Sequence, residues 1–154
     1  MKTFIFLFAT LLTTSLPALA DPASEIEEWN NEFYAAWNAR DVERVANQFT
    51  EDVDIVWQYA EEEAHGRQAF VELLKWEFSY PGKLEADLVS RKIRELPGGS
   101  YLVLEISNQT FSDKDGNPMT VRVRATTLYQ RVGDRLLVSL DHASIAQPWE
   151  EATE

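Results

Sequence analysis

The sequence predicts an α+β roll: a cone-shaped fold in which N-terminal helices pack on a curved, mostly antiparallel sheet. Three observations predict it. Apolar residues recur at helical spacing through the front half of the chain. Four long stretches of the back half read as strands. Between those strands stand only short runs of turn chemistry, LPGGS, DKDGNP and VGDR. Short turns force antiparallel neighbours, and helices must then cover one face of the sheet.

The elements follow in order. Residues 1–20 have the pattern of a signal peptide: Lys2, the apolar run FIFLFATLLTTSL, then the small-residue cleavage site Ala18-Leu19-Ala20. The run is too short for a stable membrane span. The expected mature chain is therefore one domain, residues 21–154, periplasmic or secreted, with no membrane association after cleavage. Ser24 and Glu27 form a capping box ahead of Ile26, Trp29, Phe33 and Trp37, a helical stripe that runs to about Ala39. Asp41 reads as a second cap, with Val42, Val45, Ala46 and Phe49 on the buried side of a short helix. The chain must bend sharply at Arg40-Asp41. Val53, Ile55, Trp57 and Tyr59 alternate as a strand, EEEAHG is a polar connection exposing His65, and GRQAFVELLKWEF is a third helix burying Phe70, Leu73 and Leu74. Tyr80-Pro81-Gly82 ends it. Strands are expected over 84–95, 100–112, 119–131 and 136–145.

Composition excludes several function classes. With no cysteine, the chain has neither disulfides nor a thiol nucleophile. Two histidines, His65 and His142, do not make a multi-histidine zinc site, and no metal or cofactor is expected. The formal net charge of −12 repels nucleic acid and anionic membranes. Asp113 to Asn117 lacks the glycine and glutamate of a calcium loop, since Pro118 and Arg124 stand there, so it reads as a hairpin turn.

The last strand, LLVSLDHASI, poses the functional question. Side chains alternate across a sheet. If VGDR closes an even-numbered loop, Tyr129 sits opposite Val138, Thr127 opposite Leu140 and Ala125 opposite His142. The inner face would then carry Val121, Val123, Tyr129, His142 and Ser144. The same bookkeeping through DKDGNP puts Leu102, Leu104, Ile106 and Asn108 inside, and Glu105, Ser107 and Gln109 outside near Arg122 and Arg124. On that register His142 and Ser144 line the wall of a cavity, while Asp141 faces out.

The stretches AAWNARDVERVANQFTEDVDIVW, HGRQAF and RATTLYQRVGDRLLVSLDHAS resemble SnoaL-like domains of the nuclear-transport-factor-2-like (cystatin-like) superfamily. The resemblance covers nearly all of residues 21–154. It implies a cone of curved sheet wrapped on helices. It also implies pocket-wall positions at His142 and Ser144, with Arg124 and Thr127 on the adjoining strand. It does not supply one role, because the family spans isomerases, cyclases, hydrolases, dehydratases and noncatalytic domains. Leu136 replaces a tryptophan common at the start of the last strand.

The expected site is thus a pocket for a small apolar molecule lined by Tyr34, Trp37, Trp57, Thr127, Tyr129, His142 and Ser144. The alternative is a cofactor-independent acid–base enzyme of isomerase or lyase type. His142 would be its catalytic base, with Asp87 as a partner acid and Tyr34 or Tyr129 as donor. A noncatalytic dimerisation module is the third reading. A homodimer is expected through the outer sheet face, with Leu137, Ala143 and Ile145 framed by Arg122, Arg124, Glu105 and Asp141.

Overall fold

Helix α1 (Pro22–Asn38) leads the fold in the computed structural model, which describes residues 21–57, 63–79, 81–82, 84–112 and 115–146. The expected signal peptide and Tyr59 lie outside the described residues. Helix α1 starts earlier than the capping box suggests. Pro22 occupies its first turn, where a missing N–H costs nothing, and Asp21 precedes it without a side-chain cap. Arg40 then takes a left-handed φ of 56°, the sharp bend expected between the helices. Its guanidinium is tied to the carbonyls of Phe78 and Gly82. Helix α2 (Val42–Ala46) is capped as expected, with Asp41 Oδ1 accepting from the Arg44 N–H at 3.1 Å.

Strand β1 (Phe49–Val56) begins at Phe49, which the helical pattern had claimed. The EEEAHG stretch is more than a connection. Its end forms the short strand β2 (Glu63–His65), antiparallel to β1. Gly66, at φ 82°, turns the chain into α3 (Arg67–Glu77). Strands β3 (Glu85–Leu96), β4 (Ser100–Ser112), β5 (Pro118–Val132) and β6 (Arg135–Ile145) complete a six-stranded sheet ordered β2-β1-β6-β5-β4-β3. Among the described residues only β1 and β6 pair in parallel. The fold class is the expected one.

The core lies between the helices and one sheet face. Ile26, Ala36, Val45, Phe70 and Leu74 meet Phe49, Val53, Ile55, Val103, Tyr129 and Val138 there. Phe49 and Phe70 lie 4.5 Å apart between ring centroids, and Trp29 stacks on Phe33 at 5.3 Å. Polar ties fix α1 at both ends. Glu25 accepts from Arg131 at 2.6 Å and from the Tyr101 hydroxyl at 3.1 Å. The Asn38 amide both donates to and accepts from the Leu84 backbone, at 3.0 and 2.9 Å.

The register overturns the expected partition of faces at two places. Tyr129 does pair with Val138, but the next pair is Leu128 with Leu140. Ser139 is an extra residue in β6, a β-bulge, so every later side chain changes face. Asp141 now pairs with Thr127 and His142 with Thr126. Between β4 and β5 the connection, residues 113–117, is odd-numbered, which also inverts the expected parity. Tyr101, Val103, Glu105 and Ser107 therefore face inward, and Leu104 is exposed.

Candidate functional site

The two inversions build a site that the sequence reading did not place. Asp141 projects from β6 onto the helix-covered face, between Thr127 of β5 and Ile55 of β1. Trp57 follows β1 on the same face, two residues beyond Ile55. Its indole Nε1–H donates to Asp141 Oδ2 at 2.8 Å, and the Thr127 hydroxyl donates to Oδ1 at 2.7 Å. Each carboxyl oxygen thus holds one neutral donor, and the orientation of the group is fixed.

Burial pushes the Asp141 carboxyl above its ordinary value. The Thr127 and Trp57 bonds and the charge of His142 oppose that shift without cancelling it. Protein surrounds the group, yet the residue keeps partial solvent access.

Tyr34 of α1 faces the same space. Its pKa is raised to about 12, first by burial and then by the charges of Glu105 and Asp141, with Arg91 opposing. Tyr129 is raised well above the usual phenol range by the same causes. Both phenols therefore stay protonated near neutrality and can donate hydrogen bonds. Glu105 and Arg91 form an ion pair on the inner face, so that acid is already compensated. Trp37 closes the wall, its ring 5.7 Å from Trp57 and 5.1 Å from Phe78.

Of the seven expected pocket residues, Tyr34, Trp37, Trp57, Thr127 and Tyr129 come together. His142 and Ser144 do not. His142 is exposed on the opposite face beside Thr126 and Val56, and Ser144 sits across from Arg124 on that same face. Asp87, the acid considered as a partner for His142, is exposed on β3. The residues missed are Asp141, Glu105 and Arg91. The one sequence signal for them was the Asp-His-x-Ser ending itself, which names Asp141 but not its face. No cluster of three or more metal-ligating side chains occurs among the described residues.

The outer face also differs from expectation. Arg122, Arg124 and Leu137 lie there, but Glu105, Asp141, Ala143 and Ile145 lie inside. The face instead presents Leu102, Leu104, Ile106, Leu128 and Leu140, with an open groove of about 330 Å³ running past Lys92 and Arg124.

The family model described as the SnoaL-like domain matches residues 26–148. This chain belongs to the SnoaL-like family. Among curated proteins none matches its sequence significantly. Solved structures similar to this SnoaL-like chain share its fold at low identity. One is a candidate calcium/calmodulin-dependent protein kinase II association domain from Xanthomonas campestris. It is 20% identical with a TM-score of 0.73, covering 91% of this chain and 98% of that one. Another is a candidate dehydratase of the NTF2-like family from Streptomyces avermitilis, 18% identical with a TM-score of 0.69, covering 81% and 96%. A third is an uncharacterised cystatin-like protein from Caulobacter vibrioides, 22% identical with a TM-score of 0.64, covering 82% and 90%. The SnoaL-like chain thus has the nuclear-transport-factor-2-like, cystatin-like fold.

Proposed function

We propose that this SnoaL-like protein binds a small, largely apolar molecule in the concavity of its inner sheet face, with Asp141 as the polar anchor. The observation that carries the reading is the Asp141 carboxyl, oriented by Trp57 and Thr127 inside a wall of aromatic rings. Apolar walls with a few fixed polar groups are how small-molecule pockets are made. Native mass spectrometry of the purified protein, before and after mild denaturation, tests it. A released organic molecule, or saturable uptake of an apolar fluorescent probe that Trp37→Ala weakens, supports the reading. A protein that takes up neither would contradict it.

A second reading is acid–base catalysis of isomerase or lyase type. A carboxyl raised by burial beside the Tyr34 phenol favours it, and one similar structure is described as a candidate dehydratase. Asp141 would move the proton and Tyr34 would donate a hydrogen bond to the developing oxyanion. Chemical conversion of the bound molecule, lost in Asp141→Asn, would distinguish catalysis from binding.

The protein is further proposed to be exported, with Asp21 as its first residue, which N-terminal sequencing tests. It is also proposed to be a homodimer through its outer sheet face, where leucines lie among Arg122, Arg124 and Lys92.

A further inference from the structure

We propose that the inner-face site takes an organic ammonium: an aromatic or apolar body bearing a protonated primary amine, whose N–H groups bind the Asp141 carboxylate. This rests on the reading of that face as a binding pocket.

The first argument is an uncompensated charge. Asp141 is enclosed, and both of its hydrogen-bond partners, Trp57 and Thr127, are neutral donors. Among the described residues no cation pairs with it. A carboxylate offers about four acceptor sites, and two are used here. Burying such a group without a cation is costly. Arg91, a guanidinium on this face, is already engaged by Glu105. Among the described residues nothing supplies that charge, which leaves the carboxylate open to a bound cation.

The second argument is the wall. The indole bonded to Asp141 belongs to Trp57, Trp37 lies 5.7 Å from it, and Tyr34 is close enough to feel the Asp141 charge. Aromatic faces attract ammonium groups and also pack an apolar body. The third argument is sign. Among the described residues, the carboxylates of Asp141 and Glu105 against the guanidinium of Arg91 leave the inner site net negative, so an anionic ligand would be repelled. The net charge of −12 attracts cations at longer range.

Isothermal titration calorimetry of the purified protein with two probes tests this. 1-Naphthylmethylamine and 1-naphthalenemethanol share a skeleton and differ in bearing an ammonium or a hydroxyl. At neutral pH and low salt the amine should bind at least about tenfold more tightly, the gain expected of a charge-assisted hydrogen bond in an enclosed site. Asp141→Asn should abolish that preference, and His142→Ala, on the outer face, should keep it. Equal affinity for the two probes in the unaltered protein overturns the ammonium inference but leaves the pocket standing, and it needs no variant to fold. A preference that survives Asp141→Asn overturns it as well. Binding of neither probe overturns the pocket reading itself, and this inference with it.

Discussion

Trp57 and Asp141 are 84 residues apart in the chain and 2.8 Å apart in space, joined by an indole N–H donating to a carboxylate oxygen. The bond ties β1 to the strand it pairs with in parallel, and it orients an inner-face carboxylate that has no ion-pair partner among the described residues.

Asp141 should cost stability at neutral pH. Its folded-state pKa is raised, so the folded protein binds more protons than the unfolded chain between the ordinary value of 3.8 and the raised one. Stability from this group is fully present below 3.8 and is lost as pH rises through the folded value. Asp141→Asn keeps an acceptor for one donor and removes the buried charge. The variant should gain about 1 kcal/mol near pH 7 and nothing in acid. Denaturant melts at several pH values check this; an equal effect at all of them would contradict it.

At the outer edge of the sheet, the hydrogen bond and charge of Asp54 raise the His65 imidazole above its usual range. The pair's contribution to holding β2 on β1 is present below the ordinary histidine pKa and is lost as pH rises through the raised one. Asp54→Asn should move the His65 midpoint down in an NMR titration. An unmoved midpoint would mean that the pair does not persist in solution.

Glu25 takes hydrogen bonds from both Arg131 and Tyr101, with its side chain only 20% exposed. Glu25→Ala should loosen the start of α1 and cost about 1–2 kcal/mol, the usual penalty for leaving partly buried partners unpaired. Urea unfolding would show it as a lower midpoint. A change below about 0.5 kcal/mol would place Glu25 among ordinary surface positions.

Leu104 is 45% exposed in the middle of the outer face. If that face joins two copies, Leu104→Glu should convert a dimer to a monomer in light scattering while leaving the circular dichroism spectrum unchanged. A chain already monomeric at micromolar concentration would remove the dimer proposal.

The sequence made the elements legible and the faces only partly so. Helical spacing from Ile26 to Trp37, the cap at Asp41 and the turn residues between the later strands each follow from local chemistry, and the structure has those elements within a few residues. Strand β2 escaped because three residues between a run of glutamates and Gly66 carry no pattern; its pairing with β1 defines it. The site escaped for a sharper reason. Alternation predicts faces only while the pairing is regular, and one extra residue at Ser139 sends Asp141 in and His142 out. Ser139 interrupts an apolar run, but a serine there is equally at home in an unbroken strand. The Tyr129–Val138 pair lies before the bulge and was read correctly.

The central claim is that Asp141, not His142, stands inside against Trp57. The pH titration of the Trp57 indole Nε1–H resonance, assigned by its absence in Trp57→Phe, tests it most directly. The resonance should shift with a midpoint above the ordinary carboxylate range, do so in His142→Ala as well, and stay flat through that range in Asp141→Asn. A resonance that ignores acid in the unaltered protein, or whose titration survives Asp141→Asn and vanishes in His142→Ala, would contradict the account.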